Sequence, residues 1–208
     1  IMSILSGSPS SAYIISKLVN NNDISEDYGN VCLIFTFFAN PLFLYTILKL
    51  IFNNNPTTIK LLIIIYLSNL LLYLFYKKEL PNNKLKGKSK NINLALSIKT
   101  SINTNLMVLG SIVFYLVISN IIINTFNISY PFSIFVKGFL EMTQGLNSLI
   151  DCNIKLKEII TVGFITFGGL SIHTQVKCIL DEYNLSYKYF LKGRILQMII
   201  AIFLTAIT

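Results

Sequence analysis

Long apolar runs separated by short polar stretches make up most of the chain. Four runs approach or reach the ~20 residues that a helix needs to cross a hydrocarbon core: Val31–Phe52, Thr58–Tyr76, Leu106–Phe126 and Leu191–Ile207. Two further apolar runs, Phe132–Ile150 and Ile159–Leu180, contain polar residues. The pattern predicts an all-α fold, a polytopic transmembrane helical bundle.

Two stretches of glycine, proline and polar residues interrupt this pattern. The first is "SGSPSSA", where Gly7 and Pro9 oppose a continuous helix within Ile1–Val19. The second is "FGGLSIHTQ", Phe167–Gln175, which contains two adjacent glycines. Backbone groups freed by a helix break cost several kcal/mol in lipid, so a break must be buried in protein or face water. We therefore expect broken helices beside a polar site, although adjacent glycines also permit close helix packing.

The two interrupted stretches align when the sequence is shifted by 161 residues. Gly7 then meets Gly168, and Ser10 meets Ser171. Ser25 and Tyr28 meet serine and tyrosine in the same register. Five predicted crossings separate the copies, and an odd number predicts an inverted repeat of the kind found in transporters. If Ile159–Leu180 is a re-entrant hairpin instead, the copies are parallel.

The chain divides into three parts by this interpretation. Residues 1–76 contain a broken helix and two spans, residues 77–104 a basic loop and a surface helix, and residues 105–208 further spans with a broken helix at 159–180. The loop Lys77–Lys90 holds six lysines and one glutamate, which places it in the cytoplasm by the positive-inside rule. Five crossings then place Asp181–Arg194 outside, although its basic residues oppose that rule.

Composition supports the membrane interpretation and excludes other classes. The 208 residues are 53% hydrophobic and 12% charged, and the net charge of +8 comes mostly from lysines between spans, so no nucleic-acid partner is expected. The chain has one histidine, no nucleophile–base–acid pattern and no GxxxxGK loop, so we do not expect an enzyme. No cysteine pair or ligand spacing points to a metal or cofactor.

Polar residues inside the later spans indicate a binding site. Glu141 and Gly145 share a helix face, as do Ser171 and Gln175. An ionisable residue within a span usually faces the protein interior or a wet cavity. We expect Glu141, Thr143, Ser171, His173 and Gln175 to meet in one buried polar site. The alternatives are a structural role for Glu141 between helices and a satisfied core position for His173.

Several motifs resemble the sporulation integral membrane protein YlbJ family: "SGSPSSA", "FFANPLF", "GFLEMTQGL" and "FGGLSIHTQ". The resemblance implies a relationship to nucleoside-transporter and ferrous-iron-transporter (FeoB-type) Gate domains. It also implies a role in forming resistant spores in the mother-cell membranes of endospore-forming bacteria. Spans that the family has upstream are missing, so a fragment is expected. Departures at Ser11–Tyr13 and Phe37–Asn40 predict a less polar cavity in the first half.

The resulting hypothesis is a transporter or permease-like protein for a small polar solute, either nucleoside-like or another small metabolite. The alternative is a non-transporting membrane scaffold for spore assembly. The expected partners are the lipid bilayer and the solute, and homo-oligomer formation stays open. The predicted site comprises Gly7, Pro9, Ser10, Asn40, Pro41, Glu141, Thr143, Gly145, Gly168, Gly169, Ser171, His173 and Gln175.

Overall fold

The computed structural model of the protein describes residues 7, 9–81, 94–183 and 185–208, and all regular elements in them are helical. The α-helices are α1 Ser10–Asn20, α2 Glu26–Phe35, α3 Pro41–Phe52, α4 Asn55–Tyr76, α5 Leu94–Thr125, α6 Phe132–Leu140, α7 Met142–Ser148, α8 Lys157–Phe167, α9 Gly169–Glu182 and α10 Tyr187–Ile207. The predicted all-α class is confirmed.

Four helical segments in this part of the chain are long and apolar enough to cross a membrane: Asn55–Glu79, Ser97–Thr125, Lys157–Glu182 and Tyr187–Ile207. The third includes the break between α8 and α9. Their length and composition match the thickness of a hydrocarbon core. The predicted multi-pass membrane protein is confirmed.

The predicted continuous span Val31–Phe52 is wrong, because α2 ends at Phe35 and α3 begins at Pro41. Proline lacks an N–H and disfavours helical geometry in the residue before it. Asn40 accordingly has extended geometry, with φ −61° and ψ 130°. Its side chain accepts hydrogen bonds from the backbone N–H groups of Leu42 and Phe43, at 2.9 and 3.2 Å. Asn40 and Pro41 thus form a helix start.

The predicted span Phe132–Ile150 is also broken, at Glu141, where the backbone is extended with φ −140° and ψ 114°. The two short helices α6 and α7 fold back on each other. A Cβ atom added to Gly145 would lie 2.2 Å from the Cα of Gly138. Gly145 therefore gives room to the neighbouring helix, and the break at Glu141 corrects the expectation that Glu141 and Gly145 share the face of one helix.

The predicted surface helix of residues 91–104 is not a separate element. From Leu94 onwards it is continuous with the following span in α5, which runs to Thr125. No proline or glycine interrupts residues 94–109, so nothing in the local sequence ends the helix. Residues 82–93, and with them most of the predicted Lys77–Lys90 loop, lie outside the described residues.

The predicted interruption at the glycine pair is confirmed. Helix α8 ends at Phe167, and Gly168 and Gly169 have φ of +92° and +71°. This left-handed region is open to glycine and costly for residues with a Cβ atom. Gly7, which precedes α1, has φ of +70°. The backbone therefore takes the same kind of turn before α1 and before α9.

The structure follows the register of the proposed repeat through the next helices. Ser25 and Ser186 occupy the N-cap positions of α2 and α10. The Asn30 side chain accepts a hydrogen bond from the backbone N–H of Ser186 at 3.1 Å, and Gly193 lies against the Ile34 carbonyl. The later residue of α2, Ile34, contacts the later residue of α10, Gly193, so α2 and α10 run in the same direction. This pair fits the parallel alternative and corrects the inverted arrangement.

Helix α10 occupies the centre of the bundle, where it packs against α2, α4 and α8. The matched helices α1 and α9 also pack against each other, and their cluster of buried residues includes Ala12, Ile15, Val176 and Leu180. Helix α5 contacts α6 and α9 but exposes most of its apolar surface. The helices that end or begin at breaks therefore surround the best-buried part of the protein.

Candidate functional site

A cavity of about 180 Å³ lies where the interrupted helices meet. Its wall contains residues from two of the interruptions, the turn before α1 and the 36–40 segment, and residues that flank the other two: Met142 follows the break at Glu141, and Ile165 and Ile172 lie on either side of the glycine pair. The contributing residues include Gly7, Phe37, Asn40, Met142, Ile165 and Ile172. The wall is mostly apolar, and the breaks supply its polar edge.

Side chains from other helices satisfy the backbone of the first break, residues 36–40. The Asn69 amide donates a short hydrogen bond to the Phe37 carbonyl, and the Tyr66 hydroxyl donates to the Ala39 carbonyl at 2.8 Å. Arg194 lies beside the end of α2 and donates from Nη2 to the Ile34 carbonyl at 3.4 Å. The freed carbonyl groups are thus paired by α4 and α10, as a buried backbone requires.

Arg194 is the most prominent buried residue that the sequence interpretation missed. Its side chain is 0% exposed, which corrects its expected place in an external polar segment. The guanidinium donates to the Gln197 side chain and lies over the Phe37 ring, with Cζ 4.1 Å from the ring centroid. Gln197 in turn donates to Ile65 and Ser68 of α4 at 3.2 Å. Arg194 and Gln197 are three apart in an apolar helix, which is a signal for a shared buried face.

The Glu141 carboxylate is 3% exposed and caps α7, the helix that begins directly after the break at Glu141. It accepts hydrogen bonds from the backbone N–H groups of Thr143 and Gln144 at 3.2 and 2.8 Å, and a short one from the Thr143 hydroxyl. A carboxylate at a helix N-terminus is stabilised by these N–H groups and by their dipoles. The negative charge is compensated within one turn of the chain.

His173 closes the end of α8. A carbonyl oxygen only accepts, so Nε2 of His173 carries the hydrogen and donates to the Phe167 carbonyl at 3.1 Å. Nδ1 then accepts from the Tyr187 hydroxyl at 2.6 Å. The ring also packs against Phe167 and Phe190, with centroids 4.6 and 5.3 Å away. Both ring nitrogens are satisfied, as expected for the alternative of a core histidine.

A polar seam connects α5 with the two later breaks. It begins where Gln175 donates to Ser111 at 2.6 Å and to Ser171 at 3.2 Å. Tyr115 and Thr174 share a hydrogen bond of 2.6 Å, and Ser119 donates to Gln144 at 2.8 Å. The α5 members recur every fourth residue and so share one face. That spacing was visible in the sequence, but its partners were not.

The predicted site residues form separate groups around the cavity. Gly7 and Asn40 line it, Pro9 and Ser10 begin α1, and Pro41 begins α3. Glu141 and Thr143 bond each other, Ser171 and Gln175 join the α5 seam, and His173 lies with the aromatic residues of α10.

One backbone contact connects the glycine pair with the break at Glu141. Gly169 packs on the break at Glu141, since a Cβ added to Gly169 would lie 2.9 Å from the backbone nitrogen of Met142. Gly168 supplies the left-handed turn just before it. Binding of a solute by these residues stays a prediction.

Comparison with known proteins gives one informative match. The chain is 27% identical over 247 aligned positions to the "Sporulation integral membrane protein YlbJ" of Bacillus subtilis (strain 168). The match covers 96% of this chain and 60% of the relative, so the chain spans about three fifths of that relative's length. No family model matches the chain, and no solved structure matches it. The resemblance found in the motifs is thereby supported: the chain is a multi-pass membrane protein similar to the sporulation protein YlbJ.

Proposed function

We propose that the protein acts in spore formation as a transporter or permease-like protein for a small polar solute. The single observation that carries the proposal is the cavity of about 180 Å³, which is lined by residues in or beside the described helix breaks. The role in spore formation is inferred from the similarity to the sporulation protein YlbJ. The transport role rests on the physical argument that follows.

The size and wall of the cavity suit a small molecule. A cavity of only ~10–15 Å³ holds one water molecule, so a cavity of about 180 Å³ accommodates a small metabolite. Broken helices bring backbone dipoles to membrane depth, where transporters place their binding sites. Short segments that end at breaks can also tilt separately, which is how access to such a site alternates between the two sides.

The test is uptake by liposomes that contain the full-length protein, measured across nucleosides and small charged and uncharged metabolites. The variant Ile172→Phe enlarges a side chain of the cavity wall and should lower uptake at least about tenfold, because occupied volume excludes the solute. Ile199→Phe is the matched control, since Ile199 lies on the exposed face of α10 with 55% exposure. Equal uptake by the two variants would contradict the proposal.

A second candidate function is a non-transporting membrane scaffold for spore assembly. It is favoured by the complete pairing of polar side chains at the later breaks, since Glu141, His173 and Gln175 all bond within the protein. Sporulation assays separate the candidates. If the protein is a scaffold, cells with Ile172→Phe should sporulate normally as long as the variant reaches normal membrane abundance. If it is a transporter, cells with Ile172→Phe should fail to sporulate and cells with Ile199→Phe should sporulate normally.

A further inference from the structure

Arg194 is a buried cation without a carboxylate partner. The guanidinium is 0% exposed, and in the described part of the chain no aspartate or glutamate oxygen lies within 4.0 Å of it. The residues outside that part include no aspartate or glutamate. A charge in a membrane interior is costly unless it is paired or serves a function. Arg194 therefore lacks the partner that a purely structural buried arginine would have.

The hydrogen bonds of Arg194 leave part of its binding capacity unused. Nη1 donates to Gln197 and Nη2 to the Ile34 carbonyl, but Nε–H has no partner. Both acceptors are neutral, so the positive charge is only partly compensated by dipoles. A planar guanidinium with a free N–H is the group that proteins use most for carboxylates and phosphates.

Glu141, the other buried charged residue among those described, does not neutralise Arg194. Its carboxylate is saturated by the backbone N–H groups of Thr143 and Gln144 and by the Thr143 hydroxyl. The two charges are therefore compensated differently. The negative charge is paired with donors in its own turn, and the positive charge faces only neutral acceptors and aromatic rings.

Phe37 connects the guanidinium to the cavity. Its ring centroid lies 4.1 Å from Cζ of Arg194, and the same side chain lines the cavity of about 180 Å³. The positive charge is thus separated from the cavity by one aromatic ring. Phe37 belongs to the 36–40 segment, which lies between helices α2 and α3, and its carbonyl is held by the Asn69 side chain.

We propose that the solute is a small organic anion with a carboxylate or phosphate group, and that Arg194 selects it. This inference rests on the proposed transport function. Two opposite unit charges ~8 Å apart at an effective dielectric constant of ~20 attract each other strongly enough to favour an anion over its neutral analogue by at least on the order of tenfold. Displacement of the Phe37 ring from the guanidinium lets the anion take the free Nε–H.

The test uses liposomes containing the full-length protein and pairs of probes that differ in charge: lactate with lactamide, and glycerol phosphate with glycerol. Wild-type protein should take up one or both anions at least about tenfold faster than the neutral analogue. Arg194→Gln should reduce that preference to less than about twofold. Arg194→Lys should keep more of it than Arg194→Gln does, because lysine retains the charge but not the planar guanidinium. An unchanged preference in Arg194→Gln overturns the proposal.

Other outcomes separate this inference from the function on which it rests. Uptake of neutral probes without uptake of anions overturns the anion proposal and leaves transport standing. No uptake of any probe or nucleoside overturns transport itself.

Because Arg194→Gln also removes a hydrogen bond to the first break, a measurement on wild-type protein is needed beside the variants. The anion that is transported should raise the thermal unfolding midpoint in detergent, whereas its neutral analogue should not. Equal shifts with both members of a pair contradict the role of Arg194.

Discussion

The break at residues 36–40 lines the cavity and the break at Gly168 lies between two of its lining residues, Ile165 and Ile172, but the two breaks are held in different ways. The first contains no glycine, and Tyr66 and Asn69 of α4 pair two of its carbonyl groups. Arg194 of α10 pairs the Ile34 carbonyl at the end of the preceding helix. The second contains two glycines in the left-handed region, and His173, six residues from Phe167, closes it. One break is imposed by tertiary contacts, and the other is encoded in its own sequence.

The two breaks are therefore destabilised by different substitutions. A break encoded by glycine is destabilised when a Cβ atom is added. The left-handed backbone conformation is costly for a residue with a Cβ, and the added atom has no space beside the neighbouring backbone. A break paired from outside fails when a donor on another helix is removed, because a buried carbonyl then has no partner. Both kinds of variant can be compared at matched positions.

The largest effect is expected for Gly169→Ala. Its φ of +71° costs a residue with a Cβ about 1–2 kcal/mol, and the added atom would lie 2.9 Å from the backbone nitrogen of Met142, which adds about 1–3 kcal/mol. The variant should lose about 2–5 kcal/mol of unfolding free energy, measured by denaturant unfolding in micelles. Gly110→Ala is the control, since no atom lies within 4 Å of the added Cβ. Similar losses in both would show that the glycine pair does not set the second break.

The same contrast explains what could be predicted from sequence. The apolar runs fix the all-α membrane class through length alone, and the glycine pair marks the break before α9 through local chemistry. In the first break, Pro41 and the Asn40 cap were available as a signal for a helix start. The residues around this break are as apolar as those of a continuous span, so the hydrophobic pattern predicts one span over Val31–Phe52.

An intermediate effect is expected for Asn69→Leu. The substitution removes the amide that donates to the Phe37 carbonyl and leaves that buried acceptor unpaired, which costs about 1–3 kcal/mol. Asn120→Leu on the exposed side of α5 is the matched control and should cause no loss. The measurement is again the unfolding free energy in micelles. A neutral Asn69→Leu would mean that the first break does not depend on its distant donors.

The candidate site was only partly predictable, for a related reason. Spacing along one helix shows which side chains share a face, and this placed Ser171 with Gln175 correctly. Spacing does not show what another helix presents, so the contacts of Gln175 with Ser111 and of Arg194 with Phe37 had no sequence signal of their own. Glu141 satisfies itself through local N–H groups and needs no partner from the glycine stretch.

The smallest effect is expected for Tyr115→Phe, which tests whether the second break also depends on outside support. Its hydroxyl shares a hydrogen bond of 2.6 Å with Thr174, which belongs to the helix after the break but does not pair a carbonyl of the break. Interhelical hydrogen bonds of this kind in membrane proteins contribute ~0.6 kcal/mol on average, with a maximum of ~1.7. A double-mutant cycle with Thr174→Val should therefore give a coupling energy near that average, measured from unfolding free energies in micelles. Because Phe keeps the ring and Val keeps the shape of Thr, the cycle isolates the hydrogen bond. A coupling above about 2 kcal/mol would mean that α5 supports the second break as strongly as α4 supports the first, and the distinction between the two breaks would be lost.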